Sequence, residues 1–61
     1  GGNMKDWLVT AELFMNASRI ESVEVRCNTE MKARIFAVEK FRKKYPNVGD
    51  MIMILKVEEK K

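Results

Sequence analysis

The sequence predicts a small α+β domain of β-β-α-β order, with a three-stranded sheet and one helix packed on one of its faces. Three observations carry this. Residues 20–27, IESVEVRC, alternate apolar and polar side chains with the period of two of a half-buried strand. Residues 31–45 change to a helical period, with Ala33, Ala37, Phe41 and Tyr45 falling along one line of a helical wheel. Pro46 and Gly49 then interrupt the chain before five consecutive apolar residues, Met51 to Leu55.

The first element is KDWLVTAELFM, residues 5–15, rich in side chains that favour a pleated surface. One parity of it holds Trp7, Val9, Ala11, Leu13 and Met15; the other holds Leu8, Thr10, Glu12 and Phe14. Turn residues follow in NASR, 16–19, so strands 1 and 2 form a hairpin. A register that opposes Glu12 and Arg26 would be favourable by a few tenths of a kcal/mol, but the sequence alone leaves the register open.

Asn28 or Thr29 can cap the helix, and Glu30 suits the positive end of its dipole. Lys43 and Lys44 fall in the last turn, where cations are favoured, and Pro46 ends the helix. PNVGD reads as a turn, and the closing strand follows, ending in a solvated tail from Glu58 to Lys61. A right-handed crossover places strand 3 parallel to strand 2, with strand 1 between them. The expected order is 2-1-3, a split β-α-β unit.

The cleaner apolar faces should turn towards the helix: Trp7, Val9, Ala11 and Leu13; Val23, Val25 and Cys27; Met51, Met53, Leu55 and Val57. Against them would pack Ala33, Ala37, Phe41 and Tyr45, the two alanines permitting a close approach. Leu8, Phe14, Ile52 and Ile54 then share the open face with Thr10, Glu12, Glu24, Arg26 and Lys56. Scattered surface apolars are common. A chain of 61 residues, however, buries only about 60% of its unfolded surface. The four open-face apolars are therefore read as a protein-binding or self-association face, with a homodimer as the first expectation.

Length allows one domain, residues 4–61, and Gly1, Gly2 and Asn3 read as a cloning remnant before Met4. Cys27 is the only cysteine, which rules out an intrachain disulfide and fits a reducing, cytoplasmic setting. No apolar run is long enough for a membrane helix, so no membrane association is expected.

The chemistry of an enzyme is missing. There is no histidine to act as base near neutral pH, no recognisable pair among Glu12, Glu21, Glu24 and Glu30, and no glycine-rich phosphate loop. The expectation is a protein with no catalytic residues, no cofactor and no small-molecule substrate. Met51 and Met53 at i, i+2 could offer thioethers to Cu(I), but filling a core is the better use of such flexible side chains, so no metal is expected. Cys27 is read as a small buried hydrophobe.

The helix is strongly basic, with Lys32, Arg34, Lys40, Arg42, Lys43 and Lys44 against Glu30 and Glu39. Phe36 projects into its polar arc between Lys32, Lys40 and Lys43. An aromatic so placed can stack on a nucleobase while lysines meet phosphates, anchor a protein contact, or simply lie over lysine stems. The net charge of +3 permits nucleic-acid binding without demanding it. Two functions are therefore carried forward: a self-associating protein-interaction module that binds or inhibits a partner protein, and, as alternative, a nucleic-acid binder using helix 30–45.

The hairpin, the NTE helix start, the helix end FRKKYP and the closing KVEE together resemble many short phage-encoded proteins of β-β-α-β type. The resemblance covers Met4 to Lys61 as a general shape. It implies a small viral accessory protein that binds a host factor.

Overall fold

A computed structural model describes residues 3–61; of the expected remnant, Gly1 and Gly2 lie outside the described residues. The chain forms β1 (Lys5–Phe14), β2 (Ser18–Cys27), α1 (Glu30–Lys44) and β3 (Ile52–Lys60). The sheet order is β2-β1-β3, with β1 central and antiparallel to both neighbours. This is the expected topology. It makes a two-layer slab in which ten-residue strands span about 33 Å and the 15-residue helix covers about 22 Å of them.

Local chemistry sets the helix limits. Thr29 is the N-cap; its Oγ1 accepts from the Lys32 backbone N–H at 3.2 Å and satisfies one of the donors the first turn leaves unpaired. Glu30 stands in the first turn, and Arg42, Lys43 and Lys44 in the last, each opposing the charge of the helix end. Pro46 follows the C-cap Tyr45 and prevents another turn.

The core lies between α1 and the facing side of the sheet. Trp7, Val9, Ala11 and Leu13 of β1, Val25 and Cys27 of β2, and Ala33, Ala37 and Phe41 of α1 are all buried. A tenth member comes from the loop after the helix. Val48 is 0% exposed and plugs the end of the core beneath two successive turns, in which the Val48 N–H donates to the Tyr45 carbonyl and the Met51 N–H to the Val48 carbonyl. Gly49 next to it has φ +56°, the left-handed region where glycine carries no Cβ penalty. The expected turn in PNVGD is there, and its valine, to which the sequence assigned no role, is core.

The hairpin pairs Phe14 with Ser18, Glu12 with Ile20 and Asp6 with Arg26, so the turn is Met15–Asn16–Ala17 and Glu12 is not opposite Arg26. Strand β3 departs further from expectation. Val57 opposes Val9 and Lys56 opposes Thr10, but Ile54, not Leu55, opposes Ala11. Leu55 is thus the extra residue of a β-bulge, and it reverses the facing of everything before it. Ile52 and Ile54 turn to the helix side with Leu13 and Ala11 and pack on the core; Met51, Met53 and Leu55 are exposed. Unbroken alternation along β3 had put these two sets the other way round.

Candidate protein-interaction surface

Which apolar side chains remain uncovered follows from the bulge and from where the helix lies. Of the four expected open-face residues, Leu8 and Phe14 are there, while Ile52 and Ile54 are beneath the helix layer. Most of that open face covers itself with polar pairs. Lys56 meets Glu58 at 2.8 Å, Arg26 meets Asp6 at 3.9 Å, Lys60 bonds Glu24, Thr10 and Ser22 share a 2.8 Å hydrogen bond, and Ser18 donates to Glu12. Leu8 is half-buried between Glu24 and Glu58. Only the hairpin end stays apolar, where Phe14, Ile20 and Met53 are exposed around Glu12. A ladder of this kind is content in water.

The helix does not sit centrally. It packs most closely on β2, and its polar side chains reinforce that lean. Lys40 Nζ donates to the Glu24 carbonyl at 2.6 Å, and Lys44 Nζ meets Glu21 at 3.0 Å. Tyr45 also donates its hydroxyl to Glu21, while Arg19 donates to both Glu21 (3.2 Å) and the Tyr45 oxygen (3.0 Å). Arg19 and Lys44 flank the Tyr45 ring at 5.6 and 5.4 Å from its centroid. The hydrogen bond from Tyr45, then that from Lys44, hold the Glu21 carboxyl below the ordinary glutamate range. This cluster fastens the helix C-terminus to β2.

The consequence is a sheet edge left bare on the other side. Over β3 the helix layer is thin, so Ile52, Ile54 and Val57 are only half-buried. The flank of α1 that looks that way carries Ile35, 52% exposed, and Val38, which with Arg34, Glu39 and Arg42 line a shallow depression of about 380 Å³. On the opposite face of the same edge Met51 and Met53 (50% exposed) are exposed, and Leu55 is exposed at the bulge. Sequence reading missed Ile35 and Ile20. A helical wheel does place Ile35 far from the Ala33–Phe41 line, and that was the available signal.

The basic face is where the sequence put it, but much of its charge is engaged. Arg34 pairs with Glu30 at 3.4 Å, Arg42 with Asp50 at 3.1 Å and Lys44 with Glu21. Lys40 caps a β2 carbonyl. Among the described residues, Lys32 and Lys43 are the helix cations with neither an ion pair nor a hydrogen bond, and Phe36 beside them is 39% exposed. Cys27 is buried, with its thiol donating to the Thr29 carbonyl at 3.2 Å. Among the described residues no group of three or more acidic, cysteine or histidine side chains could hold a metal ion, and no helix is long and apolar enough to cross a membrane.

Comparison with known proteins gave no matching family model, no matching curated protein and no matching solved structure.

Proposed function

We propose that this chain is a non-enzymatic protein-interaction module that self-associates and binds a partner protein. The observation that carries the reading is the β3 edge, which bears exposed or half-buried large apolar side chains on both sides of the sheet: Ile52 and Ile54 on the helix side, where Ile35 of α1 is also exposed, and Met51 and Met53 on the other. Exposed apolar side chains gathered along one edge of so small a domain mark that edge as a candidate interface. The general resemblance to phage-encoded accessory proteins adds the expectation that the partner is a host protein. A reducing compartment such as the cytoplasm suits the single buried thiol.

The nucleic-acid reading is the weaker of the two. Three of the six helix cations already face carboxylates and a fourth caps a carbonyl, which leaves few to displace counterions from phosphates. Two measurements test the proposal. Light scattering from micromolar to millimolar concentration should show mass above that of one chain. A pull-down from the source cell, with and without nuclease, should retain the same protein partner in both arms. A monomer at every concentration removes self-association, and retention that vanishes with nuclease favours the nucleic-acid reading.

A further inference from the structure

We infer that the self-association takes one form: two copies pair antiparallel through the outer edge of β3, over residues 51–55, to make a continuous six-stranded sheet. The inference rests on the self-association just proposed and adds its geometry. The two edges of the sheet are not alike. On the β2 edge Lys40 caps the Glu24 carbonyl, and the strand carries Arg19, Glu21, Glu24 and Arg26 along its length, the guarding expected of an edge that must not pair. On the β3 edge no strand follows, and the stretch from Met51 to Leu55 has no charge.

Backbone geometry says which groups are on offer. In an antiparallel pair the amides of successive residues face the partner strand and away from it in turn. Phe14 N–H donates to the Met51 carbonyl at 2.9 Å, and Met53 opposes Glu12, so Met51 and Met53 face β1. The N–H and C=O of Ile52 and Ile54 therefore face outward. A dyad through Met53 sets Ile52 against the partner's Ile54, Met51 against the partner's Leu55, and Met53 against its own copy. Every pair is then apolar, and Asp50 comes abreast of the partner's Lys56. The Leu55 bulge ends the ladder where the charged half of β3 begins.

That dyad runs perpendicular to the sheet, so both helices stand on the same face. The two β1 strands are three strand spacings apart, about 14 Å, and each helix leans away from the dyad over its own β2. The helices are then too far apart for the 8–10 Å of direct packing. Between them lies a trough floored by Ile52, Ile54 and Val57 and walled by Ile35 and Val38. It exists only in the dimer.

The test is chemical synthesis of the 61-residue chain with an N-methyl group on Ile54. The change keeps the side chain and the β1 ladder and removes one outward donor, hence two hydrogen bonds per dimer by symmetry. The expected result is a dimer dissociation constant raised at least about tenfold with the circular dichroism spectrum unchanged. A second pair, Met53→Lys and Met53→Glu, should each be monomeric alone and dimeric when mixed. A wild-type dimer that N-methylation leaves intact, or charged variants that do not complement, overturns edge pairing while self-association stands. A wild-type monomer up to millimolar concentration overturns both.

Discussion

The Trp7 indole N–H donates to the backbone carbonyl of Cys27 at 3.1 Å, inside the core, tying the start of β1 to the point where β2 leaves the sheet for the helix. The bond and the ring's packing act together. Trp7→Phe keeps most of the ring and removes the donor. It should cost about 1–3 kcal/mol, from the lost hydrogen bond and the smaller buried ring, in urea unfolding followed by far-UV circular dichroism. A variant as stable as the parent would show that neither the indole donor nor its extra ring contributes to the fold.

Val48 and Met53 exchange the ranks that sequence pattern assigns them. Val48→Ala should lose about 1.5–3 kcal/mol, from roughly 0.8 kcal/mol per buried methylene and the cavity left behind. Met53→Thr should stay within about 0.5 kcal/mol in dilute solution, as an exposed strand position does. Paired denaturation curves decide it; equal losses would return Met53 to the core.

At Gly49 the backbone alone sets the cost. A Cβ built there meets nothing within 4 Å, yet φ is +56°. Gly49→Ala should therefore destabilise by about 1–2 kcal/mol through the left-handed conformation and not through a clash. Gly49→Asn should recover part of the loss, since asparagine tolerates that region better.

Acid should loosen the helix–β2 tie through Glu21. Its folded-state pKa lies below the ordinary value near 4.5, so its contribution is present above that pH and lost as pH falls through the folded value. Lys44 is raised, chiefly by its hydrogen bond to Glu21, so its share is present below about 10.5 and lost as pH rises through its folded value. Tyr45→Phe removes the largest cause of the Glu21 shift. The stability difference between pH 7 and pH 3 should shrink in this variant; an unchanged difference would mean Tyr45 does not hold Glu21 ionised.

Phe36 separates binding from folding. Phe36→Ala should alter stability by no more than about 0.5 kcal/mol and weaken partner retention in the pull-down. A large stability loss would show that the ring supports the helix instead of presenting itself.

Element order, sheet order and the core of β1, β2 and α1 were legible because those segments keep strict periods, and Thr29, Pro46 and Gly49 mark the joints. What was not legible depended on one residue. Ile52 and Ile54 were assigned to the open face because Met51 to Val57 reads as one uninterrupted strand, and five apolars in a row give no parity signal with which to detect a slip. The bulge is fixed by pairing with β1, as Val57 must meet Val9 while Ile54 and Ile52 fill the space beside Ala11 and Leu13. Val48 was hidden for a related reason: turn chemistry in PNVGD announces a surface loop, and only the fold shows that its apolar residue plugs the core. For the candidate surface, Phe14 and Phe36 were found from sequence; Met51 and Met53 emerged only with the facing of β3, while Ile35 and Ile20 were overlooked although the helical wheel and the β2 alternation place them away from the core.

The bulge at Leu55 also changes what a deletion would mean. In a loop, removing one residue shortens a connection. Removing Leu55 would instead re-thread β3 into simple alternation with the hydrogen-bond ladder intact. Ile54 would stay opposite Ala11 and Ile52 opposite Leu13, with Met53 still opposite Glu12 on the polar side. The chain would keep its topology and both of its faces and lose only the kink, so Leu55 is a residue the ladder can spare.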